Sequence, residues 1–490
     1  MVERSQQVLL MKEIYQNAAK VLISLDFEET EEILDATYLH STLALCKIAL
    51  HRLKVMELDY PKNDPVSFTR DEMAALRRLF GCSWWVRAWV VQEIFFSKAA
   101  VFVLDTANHE LDWDLLGHAS ESLPMGNRGD SEKDFPLRSQ KNYAQAWKLW
   151  ALKRTTDPTP LRGLIAYFDV VKATELEDYI YALLSLSAEY NYLGKMNQRS
   201  VPVPTIDYSK ELSEIYTEWA RYFIADSQSL EILCEPLISV GDQSWSEAES
   251  KLPSWVPNWS RTVNPLRIEH GDHYAAARSR PVRIGNAIDQ YSLNLSGIQW
   301  DSIIWVGSTT SENSQFNAAF AQASEFLGSY LTQEGLEVLF ALTATAGAYQ
   351  DKGAGTSTPP NIWTYLTTRI SEHLESGDYT LGNDLDEPNR PGQTQNVGWS
   401  DEYRARVRLC CFNRRLFITK RGYLGLGPYH MQLADLVCIL FGGDTPYILR
   451  KSSSLTYRFI GQCYVHGIMN GEVVDEWEKT QGNEQWFELR

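Results

Sequence analysis

Apolar residues near the start of the chain recur at the spacing of an α-helix. Five of them lie three or four positions apart and so share one helical face: Val8, Met11, Ile14, Tyr15 and Ala18. The short apolar run Lys20–Leu25 follows and predicts a buried strand. A helix followed by a buried strand is typical of α/β construction.

Further helices are predicted before residue 100. One covers about residues 36–56. Thr69 and Glu72 have the spacing of a capping box, which marks the start of another helix, and Gly81 interrupts that helix. A third helix starts at Ser83. It carries a dense set of aromatic and polar side chains: Trp84, Trp85, Arg87, Trp89, Gln92 and Glu93.

The apolar run Ala99–Leu104 predicts a strand, and residues 105–250 are predicted to be mainly helical. Within them, Met125–Arg138 is polar and glycine-rich and is interpreted as a loop. Asp178–Leu186 predicts an amphipathic helix with Asp178 as its cap. Another helix is expected over Glu211–Ala225.

The pattern changes near Leu252, where alternating apolar runs begin to predict strands. The runs are Tyr291–Ser296, Arg415–Thr419, Leu436–Phe441 and Phe459–Val465. Gly422–Gly427 is interpreted as a turn between two strands, and His466 with Glu472 as part of a hairpin. A helical insert is expected over residues 314–343. Residues 350–400, rich in glycine, proline and small polar residues, predict a mobile loop.

These patterns predict three regions. Residues 1–105 form an α/β part, residues 106–250 a helical region, and residues 251–490 a β-rich region, giving an α+β protein overall.

Charge and cysteine content narrow the class of protein. The formal net charge of −17 disfavours nucleic acid and anionic lipid as partners. Seven cysteines without a CxxC pair indicate free thiols and a cytoplasmic location. No apolar run reaches the ~18 residues that a membrane span requires.

Motifs for well-known chemistries are absent from the sequence. It contains no P-loop, no HExxH and no GxSxG, and its histidines and cysteines lack metal-ligand spacing. We therefore predict no metal and no bound cofactor.

Several stretches, in order along nearly the whole chain, resemble the fungal heterokaryon-incompatibility (HET) family. The most recognisable is Trp84–Ile94. The others are Glu3–Tyr15, Glu177–Leu184, Ile206–Tyr208, Leu252–Trp259, Gly422–Pro428, Asp435, Pro446–Arg450 and Tyr464–Glu472. The resemblance implies a recognition and cell-death effector that acts when unlike fungal cells fuse. It also implies a protein partner or self-association.

One departure from the family pattern concerns the N-terminus. Family members usually carry a further strand or two before this point, including a Trp-Gly and an Ile-Asn-Gln segment. Either the start of the sequence was assigned late or the chain is a truncated member. As given, the first region is predicted to be a partial HET domain with a truncated, TIR-like α/β fold. Loss of strand ends would remove part of a ligand crevice, so catalysis is expected to be weakened or absent.

The similarity of HET domains to TIR domains implies a specific chemistry, because some TIR domains cleave NAD at the nicotinamide–ribose bond. Glu93 would then be the catalytic carboxylate and Trp89 its aromatic neighbour, on one helix face at i, i+4. A carboxylate stabilises the oxocarbenium-like ribose left when nicotinamide departs.

A structural interpretation competes with the catalytic one. In it, Trp84, Trp85 and Trp89 are core residues and Glu93 pairs with Arg87. Three functions therefore remain open: a recognition and death effector, an NAD glycohydrolase that uses Glu93, and a catalytically inactive regulator or scaffold.

Overall fold

The structure is a computed structural model, and most of the chain is described in it. The described residues are 2–25, 44–51, 68–103, 110–122, 137–155, 157–193, 201–235, 246–260, 268, 274–307, 322–323, 339, 342–347, 406–407 and 409–490. The chain divides into two compact units, Met1–Glu211 and Leu212–Arg490. Its helices and its β-rich C-terminal sheet confirm an α+β protein.

The first unit combines a small sheet with helices. Its strands are β1 (Val21–Ser24), β2 (Ala100–Val103) and β3 (Glu110–Asp112). Its helices include α1 (Val2–Asn17), α2 (Arg70–Gly81), α3 (Val90–Phe96), α4 (Trp113–Ser122), α5 (Leu137–Lys153), α6 (Leu161–Tyr167) and α7 (Asp178–Leu184). β1 pairs in parallel with β2, and β2 pairs antiparallel with β3.

Local sequence signals account for several of these boundaries. Thr69 and Glu72 form the predicted capping box at the start of α2, and α2 ends at Gly81. The strands predicted at Lys20–Leu25 and Ala99–Leu104 are confirmed as β1 and β2. β1 is not fully buried, however, because Val21 and Ile23 face inward while Leu22 is 62% exposed. This alternation is typical of a strand with one face on the core.

The helix predicted from Ser83 is divided in two. Ser83–Val86 is a 3-10 turn, Arg87 forms a β-bridge with Lys172, and α3 begins only at Val90. The bridge to Lys172 holds Arg87 in extended backbone, which interrupts the helix, and the consecutive Trp84 and Trp85 before it are both buried.

An aromatic cluster forms the core around this break. Trp85 contacts Phe80, Trp84 and Phe102, with ring centroids 5.4, 5.0 and 5.5 Å away. Trp113 of α4 lies 6.2 Å from Trp85. The Trp85 indole nitrogen donates to the Leu79 carbonyl at 2.7 Å. These rings join α2, the 3-10 turn, β2 and α4, so the sheet is fixed largely by aromatic packing.

The second unit is built around a β-barrel. Its strands are β4 (Leu293–Val306), β5 (Arg414–Thr419), β6 (Leu424–Pro428), β7 (Leu436–Leu440), β8 (Tyr447–Lys451), β9 (Thr456–Gln462), β10 (Tyr464–Val465) and β11 (Gln485–Leu489). Its helices include α8 (Leu212–Ser227), α9 (Glu247–Ser250) and α10 (Glu472–Lys479). The strands predicted in this region are confirmed.

The long strand β4 closes the barrel because it pairs with β11 on one side and with β7 on the other. The ring then runs β4, β11, β9, β8, β7 and back to β4. At Gly297, where both partners meet β4, a Cβ atom would lie 2.3 Å from the Ile439 carbonyl oxygen. Only glycine allows this approach between the two backbones.

Two interpretations in the C-terminal region are wrong. Most of Gly422–Gly427 is strand β6, and the turn precedes it. Gly425 lies directly under the Phe417 ring, where a Cβ atom would be 2.4 Å from it, so these glycines permit packing within a sheet. Glu472 begins α10 instead of closing a hairpin.

Some predicted segments fall outside the described residues. Of the helix predicted at residues 36–56, residues 44–51 are described and helical. Most of Met125–Arg138, most of residues 314–343, and all of residues 350–400 lie outside the described ranges.

Candidate functional site

The stretch Trp84–Ile94, called the aromatic motif below, places Trp89 directly before α3. The Trp89 ring is partly buried there. The Trp89 indole nitrogen donates to Oδ2 of Asp178 at 2.9 Å. Trp89 therefore connects the start of α3 to the start of α7.

The carboxylate of Asp178 accepts the hydrogen bonds that connect the segments of this site. Its side chain is buried, and its Oδ1 accepts from the Tyr208 hydroxyl at 2.5 Å. A terminal nitrogen of the Arg4 guanidinium lies 3.4 Å from Oδ2. Three chain segments thus converge on one carboxylate. Charge-assisted hydrogen bonds of this kind are stronger than neutral ones.

Burial raises the pKa of Asp178, while the hydrogen bonds from Tyr208 and Trp89 and the positive charge of Arg4 oppose that rise. The pKa of Tyr208 is raised as well, by burial and by its bond to the Asp178 carboxylate. In this pair the Tyr208 hydroxyl is therefore the donor and the Asp178 carboxylate the acceptor.

The prediction that Asp178 caps its helix is wrong. Glu177 occupies the cap position of α7, and it makes no side-chain cap hydrogen bond. Asp178 is instead the first helical residue, with its carboxylate turned to donors on other segments. Tertiary partners outcompete the local cap because an indole, a phenol and a guanidinium all lie within reach.

Arg4 extends this network to the surface. It forms a second ion pair with the exposed Glu175 at 3.2 Å, and its guanidinium carbon lies 4.2 Å from the centroid of the Tyr208 ring. Arg4 is on α1, so the N-terminal helix contributes directly to the surroundings of Asp178.

Glu93 belongs to a second, neighbouring network. Its partly buried carboxylate forms side-chain hydrogen bonds with Tyr15 and Trp84. Burial raises the pKa of Glu93, and the positive charge of Arg87 opposes the rise. Burial and the negative charge of Glu93 raise the pKa of Tyr15 to about 12. Tyr15 is therefore a neutral donor to Glu93 at physiological pH.

The two residues proposed to act together engage different partners. Glu93 lies one helical turn after Trp89, and its backbone N–H donates to the Trp89 carbonyl at 3.2 Å. The Trp89 indole, however, binds Asp178, while the Glu93 carboxylate binds Tyr15 and Trp84. The catalytic roles of Trp89 and Glu93 stay predictions.

A partly buried lysine fixes the far end of α3. The Lys153 ammonium donates to the carbonyl oxygens of Ile94 and Ser97 at 2.7 and 2.6 Å. A cation at a helix C-terminus satisfies carbonyls left without helical partners. Burial lowers the pKa of Lys153. Both ends of the helix that carries Glu93 are thus held by polar contacts.

Sequence reasoning missed the central role of Asp178 because its donors are distant in the chain. Arg4, Trp89 and Tyr208 share no local spacing with it. The available signal was that all four lie in stretches that carry the family resemblance, which suggests a shared structural reason.

Among the described residues, no group of three or more histidine, cysteine or acidic side chains is arranged to hold a metal ion. All seven cysteines are buried, and none of them forms a disulfide.

Comparison with protein families identifies both ends of the chain. A family model described as "Heterokaryon incompatibility protein (HET)" matches residues 1–93, which include α1, Trp84, Trp89 and Glu93. A second model, described as "Het-6 beta-barrel domain", matches residues 396–483, which include β5 to β10. Together the two matches support a heterokaryon-incompatibility (HET) domain protein.

A curated relative extends the similarity over both units. It is "Heterokaryon incompatibility protein 6, OR allele" of Neurospora crassa, 22% identical over 559 aligned residues. The alignment covers 97% of this chain and 80% of the relative. No solved structure matches the chain, so a TIR-like fold stays a prediction. Within the described ranges, no helix has both the length and the apolar character to cross a bilayer.

Replacing Asp178 tests the network. In Asp178→Ala, the Trp89 and Tyr208 donors lose their acceptor inside the protein. Because each unpaired buried polar group costs about 1–3 kcal/mol, we expect the free energy of unfolding to fall by about 2–4 kcal/mol. Urea unfolding followed by tryptophan fluorescence measures this change.

Glu175→Ala is the matched control, because Glu175 is exposed and also pairs with Arg4. An exposed ion pair contributes about 0–1 kcal/mol, so this variant should unfold near the wild-type midpoint. Equal losses in the two variants would show that Asp178 is not an organising acceptor.

Proposed function

We propose that this chain is a heterokaryon-incompatibility recognition and cell-death effector protein of a fungal cytoplasm, acting through a protein partner or through self-association. The observation that carries the proposal is the alignment to a heterokaryon-incompatibility protein over 97% of the chain. Because it includes both compact units, the proposal concerns the whole chain and not one domain.

The geometry of the aromatic motif supports a recognition role. The indole of Trp89 and both oxygens of Asp178 are engaged by partners within the protein. These hydrogen bonds hold the aromatic motif rigid. A rigid motif can support a surface that recognises a partner. The net charge of −17 favours a protein partner over nucleic acid or anionic lipid.

Induced expression in a filamentous fungus tests this role. We expect the wild-type chain to arrest growth and admit a membrane-impermeant dye, and a chain with an early stop codon to do neither. Asp178→Ala should weaken the effect at equal expression, since it loosens the motif. Normal growth with wild type, together with a monomeric elution by size exclusion and light scattering, would contradict the proposal.

A second candidate function is NAD glycohydrolysis with Glu93 as the catalytic carboxylate. The observation that favours it is the position of Glu93, which is partly exposed beside the aromatic side chains of Tyr15 and Trp84. An ionised carboxylate there would stabilise the positive charge that develops on the ribose as nicotinamide leaves. Partial burial would strengthen this stabilisation by excluding water.

Nicotinamide release from NAD tests this candidate. Glu93→Gln keeps the shape of the side chain and removes its charge, so it should lower the rate at least 100-fold. Catalysis needs the ionised form. Because burial raises the Glu93 pKa, the rate should fall with decreasing pH already above the ordinary value of 4.5.

Glu175→Gln is the control, since this exposed carboxylate lies outside the Glu93 network. Equal rates for wild type and Glu93→Gln would remove Glu93 from the mechanism. A folded wild-type chain with neither turnover nor NAD affinity by calorimetry would instead favour the inactive regulator or scaffold.

A further inference from the structure

Helix α1 is held to the first unit with little apolar burial. Among its side chains that the structure describes, only Val8 is buried. Leu9, Leu10 and Ile14 are 38%, 51% and 60% exposed. The apolar face predicted from the spacing of Val8 and Ile14 is therefore only partly used. Met11 and Tyr15 are half-buried beside the fully buried Val8. Complete burial of one such side chain provides about 1.5–3 kcal/mol, so the apolar attachment is small for a helix of 16 residues.

Polar contacts supply the rest of its attachment. Arg4 pairs with Glu175 and Asp178, and the Ser5 hydroxyl accepts from the Tyr208 amide at 3.2 Å. The other contacts are a hydrogen bond from the Tyr190 hydroxyl to the Leu9 carbonyl, Lys12 over the rings of Tyr190 and Phe96, and the bond between Tyr15 and Glu93.

Apart from the contact of Arg4 with the buried Asp178 carboxylate, these contacts are individually weak and largely accessible to solvent. The side chain of Arg4 is 40% exposed and that of Glu175 is 49% exposed. Exposed ion pairs contribute about 0–1 kcal/mol each, and salt screens them. Elements held in this way open at a lower free energy than the core does.

Helix α1 contacts both carboxylates of the candidate site, so its opening would affect both. Arg4 contacts Asp178 near one end of the helix, and Tyr15 contacts Glu93 near the other end, about 16 Å away along the helix axis. One helix thus covers both carboxylates of the candidate site.

The connection from α1 to the sheet takes no part in strand pairing. The helix ends at Asn17, and β1 begins at Val21 with four residues paired in parallel to β2. A shift of α1 at residues 18–20 therefore leaves the β1–β2 register unchanged. The aromatic core around Trp85 includes no residue of α1 among the ring contacts of the described residues.

We propose that α1 is a releasable cover, which closes over Glu93 and Asp178 through its polar contacts and exposes both carboxylates when it detaches. Detachment regulates access to the site. The biological consequence rests on the proposed function, whereas the opening itself is a property of the fold.

Hydrogen–deuterium exchange and carboxyl modification of the full chain test the cover together. In Arg4→Gln, α1 amides should exchange about tenfold faster, while β1 and β2 amides keep their wild-type rates. Modification of Glu93 by a water-soluble carbodiimide with an amine should accelerate to a similar extent. The reciprocal variant Tyr15→Phe should accelerate modification of Asp178, at the opposite end of α1.

Gln6→Ala is the matched control, because Gln6 is an exposed residue of the same helix. It should leave both rates unchanged. In wild type, raising the salt concentration should reproduce the effect of Arg4→Gln, which keeps the test valid if a variant folds poorly.

The proposal is overturned if α1 amides exchange only at the rate of β1 and β2 in wild type and in both variants. It is equally overturned if each variant changes only the carboxylate next to it. Neither readout requires NAD cleavage or growth arrest, so failure of the proposed function would leave this result standing.

Discussion

The buried carboxylate of Asp178 is the interaction on which the first unit depends. An ionised side chain away from water is costly unless donors replace its hydration. Trp89, Tyr208 and Arg4 supply those donors, each from a different segment. Because one acceptor serves all three, the start of α3, the start of α7 and helix α1 are placed relative to one another by a single group.

This arrangement explains why an aromatic motif and an acidic residue belong to the same site without forming a conventional catalytic pair. The Trp89 indole is used to orient α3, and the Lys153 ammonium holds the other end of that helix. Glu93 is therefore presented on a helix fixed at both ends, while its own carboxylate stays partly accessible. Rigid support of this kind suits both a recognition surface and a reactive carboxylate.

Local signals predicted the elements better than their connections. The capping box at Thr69 and the apolar periodicity of the helices depend on neighbours in the chain, so the sequence displays them. The break at Arg87 depends on a bridge to Lys172, and barrel closure depends on β4 meeting β7 at Gly297. The Asp178 donors are equally remote. No spacing rule shows such pairings, and only the family resemblance joined these segments.

The most direct measurement is a double-mutant cycle between Trp89→Phe and Tyr208→Phe, each of which deletes one donor to Asp178. Unfolding free energies of the wild type, the two single variants and the double variant give the coupling between donors that share one acceptor. If Asp178 organises both, their effects will be non-additive by at least about 0.5 kcal/mol. Additive losses would contradict a shared acceptor and leave two independent contacts.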